Sequence, residues 1–597
     1  MLNRLISLVF LLTILNINIV YSESKFLLPQ KKPSIFKETE KEIKKNIIKN
    51  LPVPKPILPK DPKTPQETVT KKKVETAKKK GTISTTFIYP KKKPITYKVT
   101  TKEVEVSKVL NKKDFIKAKE TIKFIKAKKW NSALKSAEKV KDSEFRKLIT
   151  WMYLKTPRNG ASFKEYKNFI EQSNYYPRIN RIRYLAEEKI YLRNNSPTSI
   201  INWFEKYPPL GGMGKIKLAE AYLEKGQTDK VRSLIQEGWE TATISKNDLG
   251  YYRAKFKKFI DAEDHIKRAD YLAWEKKYWD LKRMLKYLPK DQRALYNARQ
   301  ILMSNSYGVD NAISKVPQYL KEDPGLEFDR LRWRNRRGRL EGSLEILYRN
   351  SIKTEQQMVR PDKWWEQRES VVRSLIYKKR YKTAYKISSE HALSAGPAFA
   401  EAEWLSGWIA LTFLNSPEYA ISHFQNFYNN VGYPISLARG AYWLGASYEN
   451  LNQSQLSKDF YSKAAKFPMT YYGQLAFNKI NPGGNFELKD ESFFDKDYEK
   501  EFKKNKLIRH IILLKELNAT QLGKDIFKHL AVLNIEKGSE VLAAELATSV
   551  ERYDFAIQIS KKASYEKRFY NQFNYPIIAT PKIINNKVMP KSEVVLA

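Results

Sequence analysis

The sequence contains no cysteine, which excludes disulfides, thiolate metal sites and a lipoprotein acylation site. Histidine is also scarce: five occur among 597 residues, and no H-E-x-x-H motif is present. We therefore expect no metal site and no cofactor, and we interpret each histidine as an ordinary surface or packing residue. The five are His265, His391, His423, His510 and His529.

Motifs for nucleophilic or nucleotide chemistry are missing as well. No G-x-S-x-G nucleophile motif occurs. The stretch Gly211-Gly212-Met213-Gly214 is rich in glycine, but no predicted strand precedes it, so we interpret it as a helix-entry turn rather than a dinucleotide loop. Acidic residues are too numerous in a helical chain for two of them to be paired from sequence alone. We assign no catalytic residue.

Long apolar runs are confined to the N-terminus. Leu5 to Val20 is mostly apolar and follows the basic Arg4, which is the pattern of a secretory signal peptide over residues 1–22 with cleavage after Ser22. No later run approaches the roughly 18 residues needed to cross a bilayer. We expect an exported, periplasmic protein with no membrane span after cleavage.

The charge balance is strongly positive, with 110 Lys and Arg against 65 Asp and Glu, a formal net charge of +45. Such a field attracts polyanions, namely nucleic acid, acidic lipid or a polymer carrying carboxylates. A genome biased towards lysine codons would produce part of the same excess. Export disfavours nucleic acid as a partner, and a nucleic-acid-binding solenoid would require the signal peptide to be spurious.

Residues 23–108 have the composition of a linker. Lysine runs alternate with the proline-rich stretch LPVPKPILPKDPKTP at 51–65, which favours extended polyproline II and excludes helix. We predict a disordered, basic, semi-stiff segment. It acts either as a tether that touches anionic wall polymer or as a spacer kept soluble by its charge.

From residue 109 onwards the apolar spacing changes to that of helices. Leu218, Ala219, Tyr222 and Leu223 fall on one helical face, Gly226 suits a left-handed exit, and Thr228 suits the cap of a second helix. The apolar face of this second helix comprises Val231, Leu234, Ile235, Gly238 and Trp239. Such antiparallel hairpins bury their faces only against neighbours, so the chain is predicted to be an all-α superhelical solenoid.

One hairpin has a spacing close to that of the tetratricopeptide repeat. Within residues 438–468, small residues stand where two helix backbones must approach each other, although Ser457 occupies a position that usually holds alanine. The preceding segment 401–414 is apolar nearly all round, which indicates a buried helix. The repeat-motif positions are Leu444, Gly445, Tyr448, Tyr461, Ala464 and Pro468.

The densest basic cluster is DRLRWRNRRGRL at 329–340. On a helix, Arg330, Arg334 and Arg337 share one face, and guanidinium groups hold carboxylates in bidentate fashion. The functional interpretation is a patch that binds an anionic polymer, here a glycan. The alternative is a solvated face whose aliphatic stems pack along the helix.

Three segments together resemble the helical region of the soluble lytic murein transglycosylases. They are WWEQRESVVRSLIYKKRYKTAYKISSEHAL at 364–393, AEAEWLSGWIALTFL at 400–414 and PISLARGAYWLGASYENLNQSQLSKDFYSKAAKFPMTYYGQLAF at 434–477. The cluster at 329–340 occupies the place of a similar Arg- and Trp-rich segment. The resemblance spans residues 110–597 and is strongest from 364 to 477, whereas the linker lies outside it.

The resemblance implies a domain division and an activity. It divides the helical chain into residues 109–400, an α-superhelical domain, and residues 401–585, a repeat-like helical domain. Residues 586–597 would begin a lysozyme-like domain whose catalytic glutamate falls beyond Ala597, so that the chain as written is truncated and inactive alone. The complete enzyme would cleave the β-1,4 bond between N-acetylmuramic acid and N-acetylglucosamine in peptidoglycan, leaving a 1,6-anhydro end.

A second function of a different class is also compatible with the sequence. A non-catalytic periplasmic repeat scaffold would bind cell-wall polymer or partner proteins through the same helical surface. It would bind glycan without producing 1,6-anhydro ends. Peptidoglycan strands are thus the expected partner in both cases, and cell-wall enzymes are further possible partners that the sequence does not identify.

Overall fold

The structure is a computed structural model, and it describes residues 105–304, 307–485, 488 and 490–576, together with the backbone of 583–584 and 587–588. The predicted signal peptide, nearly all of the linker and Pro590 to Ala597 lie outside these residues. Every described residue belongs to the unit that contains residues 103–597.

Helices follow one another along the described chain with short connections. The first ten are α1 Lys112–Lys126, α2 Trp130–Glu138, α3 Ser143–Leu154, α4 Phe163–Gln172, α5 Ile179–Glu187, α6 Pro197–Lys206, α7 Gly212–Glu224, α8 Val231–Thr241, α9 Lys246–Lys255 and α10 Ala262–Trp274. The next ten are α11 Tyr278–Met284, α12 Lys290–Leu302, α13 Val309–Ser314, α14 Pro324–Arg336, α15 Leu340–Arg349, α16 Glu355–Met358, α17 Pro361–Tyr377, α18 Tyr381–Ser389, α19 Gly396–Phe413 and α20 Pro417–Asn429.

The remaining elements complete the described chain. The α-helices are α21 Pro434–Asn450, α22 Ser454–Ala465, α23 Tyr471–Ile480, α24 Lys496–Lys503, α25 Lys506–Glu516, α26 Lys524–Leu530, α27 Ser539–Ser549, α28 Tyr553–Tyr565 and α29 Asn571–Asn574. Short 3₁₀ turns cover Thr228–Lys230, Leu285–Tyr287, Gln318–Leu320 and Thr520–Gly523. Strands β1 Ile583–Ile584 and β2 Lys587–Val588 pair antiparallel. Within the described residues, no helix is both long enough and apolar enough to cross a membrane.

Helix boundaries coincide with capping residues in the sequence. Asp142 accepts a hydrogen bond from the Phe145 N–H at 2.7 Å and caps α3, and Ser162 opens α4 with a capping box. Gly226 adopts a φ of +73° after α7, which confirms the predicted left-handed exit. The predicted cap at Thr228 is wrong, because this residue begins a 3₁₀ turn that leads into α8 and makes no side-chain cap.

The described helices bury four hydrophobic clusters that are linked by shared helices. Helix α7 contributes Leu218 to the first cluster and Ile216 to the second, and α14 contributes Leu326 to the second and Leu331 to the third. Helix α19 joins the third cluster to the fourth in the same way. Each hairpin therefore covers the apolar face of its neighbour, and this is the arrangement of a superhelical solenoid. The predicted all-α superhelical fold is confirmed.

The first and last parts of the described chain share one core. The first cluster contains apolar residues from 110–221 and from 498–573. We call the contact between residues 107–178 and residues 506–525 the closing seam. The polar contacts that cross it include Lys108 N–H to Glu516 Oε1 at 2.9 Å, Arg509 Nη2 to Asp142 Oδ2 at 2.6 Å, Tyr176 Oη to His510 Nε2 at 2.8 Å and Lys155 Nζ to Asp525 Oδ2 at 2.9 Å.

A second junction, between α21 and α28, links the middle of the chain to its last helices. Helix α21 packs on α28, and the rings of Tyr433 and Tyr565 lie 5.4 Å apart. The helices from α1 to α28 thus form a closed circuit, since α21, which belongs to the fourth cluster, contacts α28, and α28 shares the first cluster with α1.

Candidate functional site

The predicted arginine face lies on α14, and much of its charge is already paired. Arg330 Nη1 binds Glu327 Oε1 at 2.7 Å, and Arg334 Nη1 binds Glu345 Oε2 at 2.9 Å. Both arginine side chains are about one-fifth exposed. Arg337 is exposed at the C-terminal end of the helix, with its guanidinium 5.2 Å from the Trp333 ring. Of the three, Arg337 is thus the most accessible to a ligand.

Two further arginines of this cluster were not singled out by sequence reasoning. Arg336 donates to the carbonyls of Leu302 at 3.2 Å and Ser304 at 2.8 Å, and so caps the end of α12. Arg339 lies 4.8 Å from the centroid of the Trp333 ring, which Arg337 also contacts. The cluster therefore stabilises the fold in part, while Arg336, Arg337 and Arg339 remain exposed.

The repeat-motif residues lie together between α21 and α22. A Cβ at Gly445 would stand 2.8 Å from the Tyr461 ring, so a glycine is required for these helices to approach. Leu444 and Ala464 are fully buried, and the Tyr448 ring stacks on Phe460. Tyr461 donates to Glu449 at 2.7 Å, and Gln474 donates to the Pro468 carbonyl at 3.0 Å. These positions therefore take part in the packing of neighbouring helices.

The glycine-rich turn before α7 binds the carboxylate of a residue in the same chain. Glu187 accepts the backbone N–H groups of Leu210 at 2.5 Å and Gly211 at 3.0 Å. A Cβ at Gly214 would collide with the Glu187 carboxylate. Burial raises the pKa of Glu187 to about 7 although these hydrogen bonds oppose it. The helix N-terminus is therefore occupied, and it offers no place for a phosphate.

Two histidines that sequence reasoning treated as unrelated meet at one carboxylate. His391 Nε2 lies 3.1 Å from Glu403 Oε1, and His423 Nδ1 lies 2.6 Å from Glu403 Oε2. Burial favours the neutral carboxyl, but the hydrogen bonds from both imidazoles outweigh it and lower the pKa of Glu403 to about 2. Glu403 is 6% exposed. This ionised group on α19 joins α20 to the connection between α18 and α19, and it is too enclosed to meet a polymer.

An open groove lies at the second junction, between α21 and α23 on one side and α28 on the other. We call it the tyrosine groove; its volume is about 260 Å³. Tyr471, Tyr565 and Tyr575 line it and are 69%, 39% and 53% exposed. Lys561 adds an exposed cation. The other lining residues are Pro434, Ile435, Met469, Thr470, Ile557, Ser564, Phe569 and Asn574.

The tyrosine groove is suited to binding rather than to bond cleavage. Exposed aromatic faces beside a cation can hold a ring-shaped ligand, but the groove is lined by no carboxylate or imidazole for proton transfer. Its two sides are nearly a hundred residues apart in sequence, so no local pattern predicted it. Among the described residues no group of three or more His, Asp or Glu is placed to hold a metal ion.

Comparison with known proteins identifies the fold. No protein-family model and no curated protein sequence matches the chain. Among solved structures it is similar to an inactive variant of lytic transglycosylase Slt from Pseudomonas aeruginosa, with 15% identity and a TM-score of 0.52 over 75% of this chain and 70% of that one. It is also similar to the 70 kDa soluble lytic transglycosylase SLT70 of Escherichia coli, with 11% identity and a TM-score of 0.50 over 78% of this chain and 72% of that one.

A third similar structure is a complex of the 70 kDa soluble lytic transglycosylase with bulgecin A, at 12% identity and a TM-score of 0.50, over 78% of this chain and 72% of that one. At these identities the likeness establishes a common superhelical fold. The structural neighbours of the chain are thus lytic transglycosylases.

Proposed function

We propose that this chain forms the helical part of a lytic transglycosylase that acts on peptidoglycan, and that its helices hold glycan strands. The observation that carries the proposal is the closed helical circuit, whose fold is shared with two solved lytic transglycosylases. The sequence resemblance at 364–477 independently indicates the same family. The net charge of +45 favours a polymer whose stem peptides carry carboxylates.

The reaction of the complete enzyme follows from the resemblance. A single glutamate with a pKa raised by a partly apolar cleft would protonate the leaving glycosidic oxygen. The same group would then remove the proton from the muramyl C6 hydroxyl, which attacks C1 and closes the 1,6-anhydro ring. We place this chemistry in a lysozyme-like domain outside the described residues, in a periplasmic protein exported through residues 1–22.

Within the helical part we assign glycan contact to the tyrosine groove and to the arginine face. The groove presents Tyr471 and Tyr565 as flat apolar surfaces for sugar rings, and Lys561 as a cation for a stem-peptide carboxylate. Arg337 is the exposed arginine of the predicted set. Arg330 and Arg334 are expected to contribute less, because both side chains are only about one-fifth exposed.

Co-sedimentation of the purified chain with peptidoglycan sacculi tests the proposal. We expect the chain to sediment with sacculi and to release no 1,6-anhydro ends by chromatography of the supernatant. The double variant Tyr471→Ala/Tyr565→Ala should weaken binding at least tenfold, whereas Tyr377→Ala, which removes a tyrosine that is 88% exposed elsewhere, should not. Absence of binding would contradict the proposal, and release of 1,6-anhydro ends would contradict the assignment of the chemistry to another domain.

A further inference from the structure

A second pocket, of about 400 Å³, lies between α7, α9 and the segment after α5. Its volume falls in the range of small-molecule sites. Helix α7 contributes Lys217 and Glu220, and α9 contributes Asp248, Tyr251 and Tyr252. The segment after α5 supplies the remaining three lining residues: Tyr191, Leu192 and Arg193. We call it the Lys217 pocket.

The Lys217 side chain is buried, and no carboxylate of the described residues forms an ion pair with its ammonium. The residue is 3% exposed, and within the described chain no hydrogen bond or ion pair reaches its Nζ. Its contacts are the faces of Tyr191, 4.1 Å from the ring centroid, and Tyr252, at 5.3 Å. Burial lowers the pKa of Lys217 to about 8. The carboxylates of Glu220 and Asp248 are near enough to oppose this shift, but neither forms an ion pair with Nζ, so no close anion compensates the ammonium.

The nearest buried carboxylate is engaged elsewhere. Glu220 Oε1 accepts a hydrogen bond from the Tyr251 hydroxyl at 2.5 Å and forms an ion pair with Lys255 at 3.3 Å. Lys255 in turn binds Glu224 at 2.7 Å. The Lys217 ammonium therefore has a free side that faces the cavity.

We propose that the Lys217 pocket binds the carboxylate end of an amino acid or short peptide, with the Lys217 ammonium as its anchor. The tyrosine rings enclose the body of the ligand, and Arg193 adds a second cation at the exposed rim. Asp248, whose Oδ2 accepts from the Ser245 hydroxyl at 2.7 Å, lies on the opposite helix and is placed to receive a ligand ammonium. The site is independent of glycan binding and lies outside the tyrosine groove.

Calorimetric titration of the purified chain with alanylalanine at pH 7 tests the proposal. We expect a Kd of about 1 mM for a ligand of this size. Alanylalanine amide, which lacks the carboxylate, should bind at least tenfold more weakly. N-acetyl-alanylalanine, which lacks only the ammonium, should bind about threefold more weakly than alanylalanine. Equal binding of the amide and the acid would overturn the proposal, as would absence of binding by the acid.

Variants separate this role from a structural one. Lys217→Met should reduce affinity for alanylalanine at least tenfold while leaving the Tm of the free chain unchanged or higher, because the substitution removes a buried charge that makes no ion pair. Lys215→Met on the same helix removes a lysine that pairs with Glu237 and should change affinity less than twofold. A Lys217→Met chain with a lowered Tm and unchanged affinity would show that the lysine is structural and would overturn the proposal.

The pH dependence gives a further readout. Affinity for N-acetyl-alanylalanine, which has no amine to titrate, should be constant from about pH 5 to pH 8 and should fall by up to tenfold per pH unit above it, because Lys217 loses its proton there. An affinity that does not change up to pH 10 would contradict the assignment. The charged and titratable groups that face Lys217 are Tyr191, Arg193, Glu220, Asp248, Tyr251, Tyr252 and Lys255.

Discussion

The stack of helices α19–α22 and the closing seam are held together in different ways. In the stack, glycines face aromatic rings: a Cβ at Gly407 would stand 2.8 Å from Phe424, and one at Gly445 would stand 2.8 Å from Tyr461. The closing seam has an apolar core as well, but ion pairs and the Tyr176–His510 hydrogen bond cross it. The first interface depends on shape, whereas the second also depends on charge state.

The difference follows from sequence separation. Tyr461 and Glu449, which bond within the stack, are 12 residues apart, whereas Tyr176 and His510 are 334 apart. Neighbouring hairpins find each other at little entropic cost, so close packing suffices to define their contact. Bringing the two ends of a long helical array together costs more entropy. Hydrogen bonds and ion pairs, which are directional, then fix how the two ends align. We therefore expect the stack to respond to side-chain volume and the seam to respond to pH and salt.

The largest effect is expected from Gly445→Leu. The new side chain would overlap the Tyr461 ring, and we expect a loss of about 3 kcal/mol in the stability of the α21–α22 hairpin. Because repeat arrays do not unfold in a single step, hydrogen exchange of α21 and α22 is the appropriate measurement.

Gly432→Leu is the matched control for that experiment. It makes the same change in the connection before α21, where a Cβ meets nothing within 4 Å, and should shift stability by less than about 0.5 kcal/mol. Equal effects of the two variants would refute the steric account of the stack.

Mild acid should open the seam before the stack. Burial lowers the pKa of His510 to about 4, below the unfolded value of 6.5, so its neutral form stabilises the fold above pH 6.5 and this contribution is lost as the pH falls. The loss should reach about 2 kcal/mol at pH 5. Hydrogen exchange of α3 and α25 at pH 7 and pH 5 measures it.

The hydrogen exchange of the stack, measured in the same samples, is the control for the acid experiment. The pKa of Glu403 is lowered to about 2, so its contribution is retained above pH 4.5 and is lost only as the pH falls below that value. We expect unchanged protection of α19 and α20 at pH 5. The variant His510→Phe should remove the pH dependence of the seam between pH 7 and pH 5; persistence of that dependence would assign it to another group.

The smallest effect is expected from the ion pair of the seam. Arg509 binds Asp142 through two contacts of 3.1 and 2.6 Å, but its side chain is 35% exposed, so Arg509→Gln should cost about 1 kcal/mol or less. A double-mutant cycle with Asp142→Asn, which retains the cap of α3, measures the coupling. The coupling should decrease with added salt; a coupling that is insensitive to salt would indicate a buried pair.

The close packing of helices in the stack was predictable from sequence. The spacing of Gly445 and Tyr461 indicates a close helix hairpin, and the structure has that hairpin. The seam left no such signal, because His510 lies in an apolar helix and its partner Tyr176 is distant in the chain. Helix periodicity therefore predicts the hairpins and the solenoid, but it does not indicate which distant hairpins are in contact.

Site residues were harder to predict than the fold. Arg330 and Arg334 were selected for their spacing, but Glu327 one turn earlier and Glu345 on the next helix pair with them. Lys217 was overlooked, because a lysine beside the apolar Leu218 and Ala219 gives no sign that it is buried. The groove tyrosines come from separate helices. Burial of a charge and assembly of a groove depend on tertiary contacts that a linear pattern does not contain.

The shared core of the closing seam also affects the order in which the protein can fold. Helices α1–α6 bury apolar residues against segments that leave the ribosome only after about 300 further residues, roughly 15 to 60 s later at ordinary synthesis rates. Throughout that interval the early helices carry an uncovered apolar surface. The nascent chain therefore needs protection from aggregation until its last helices have been made.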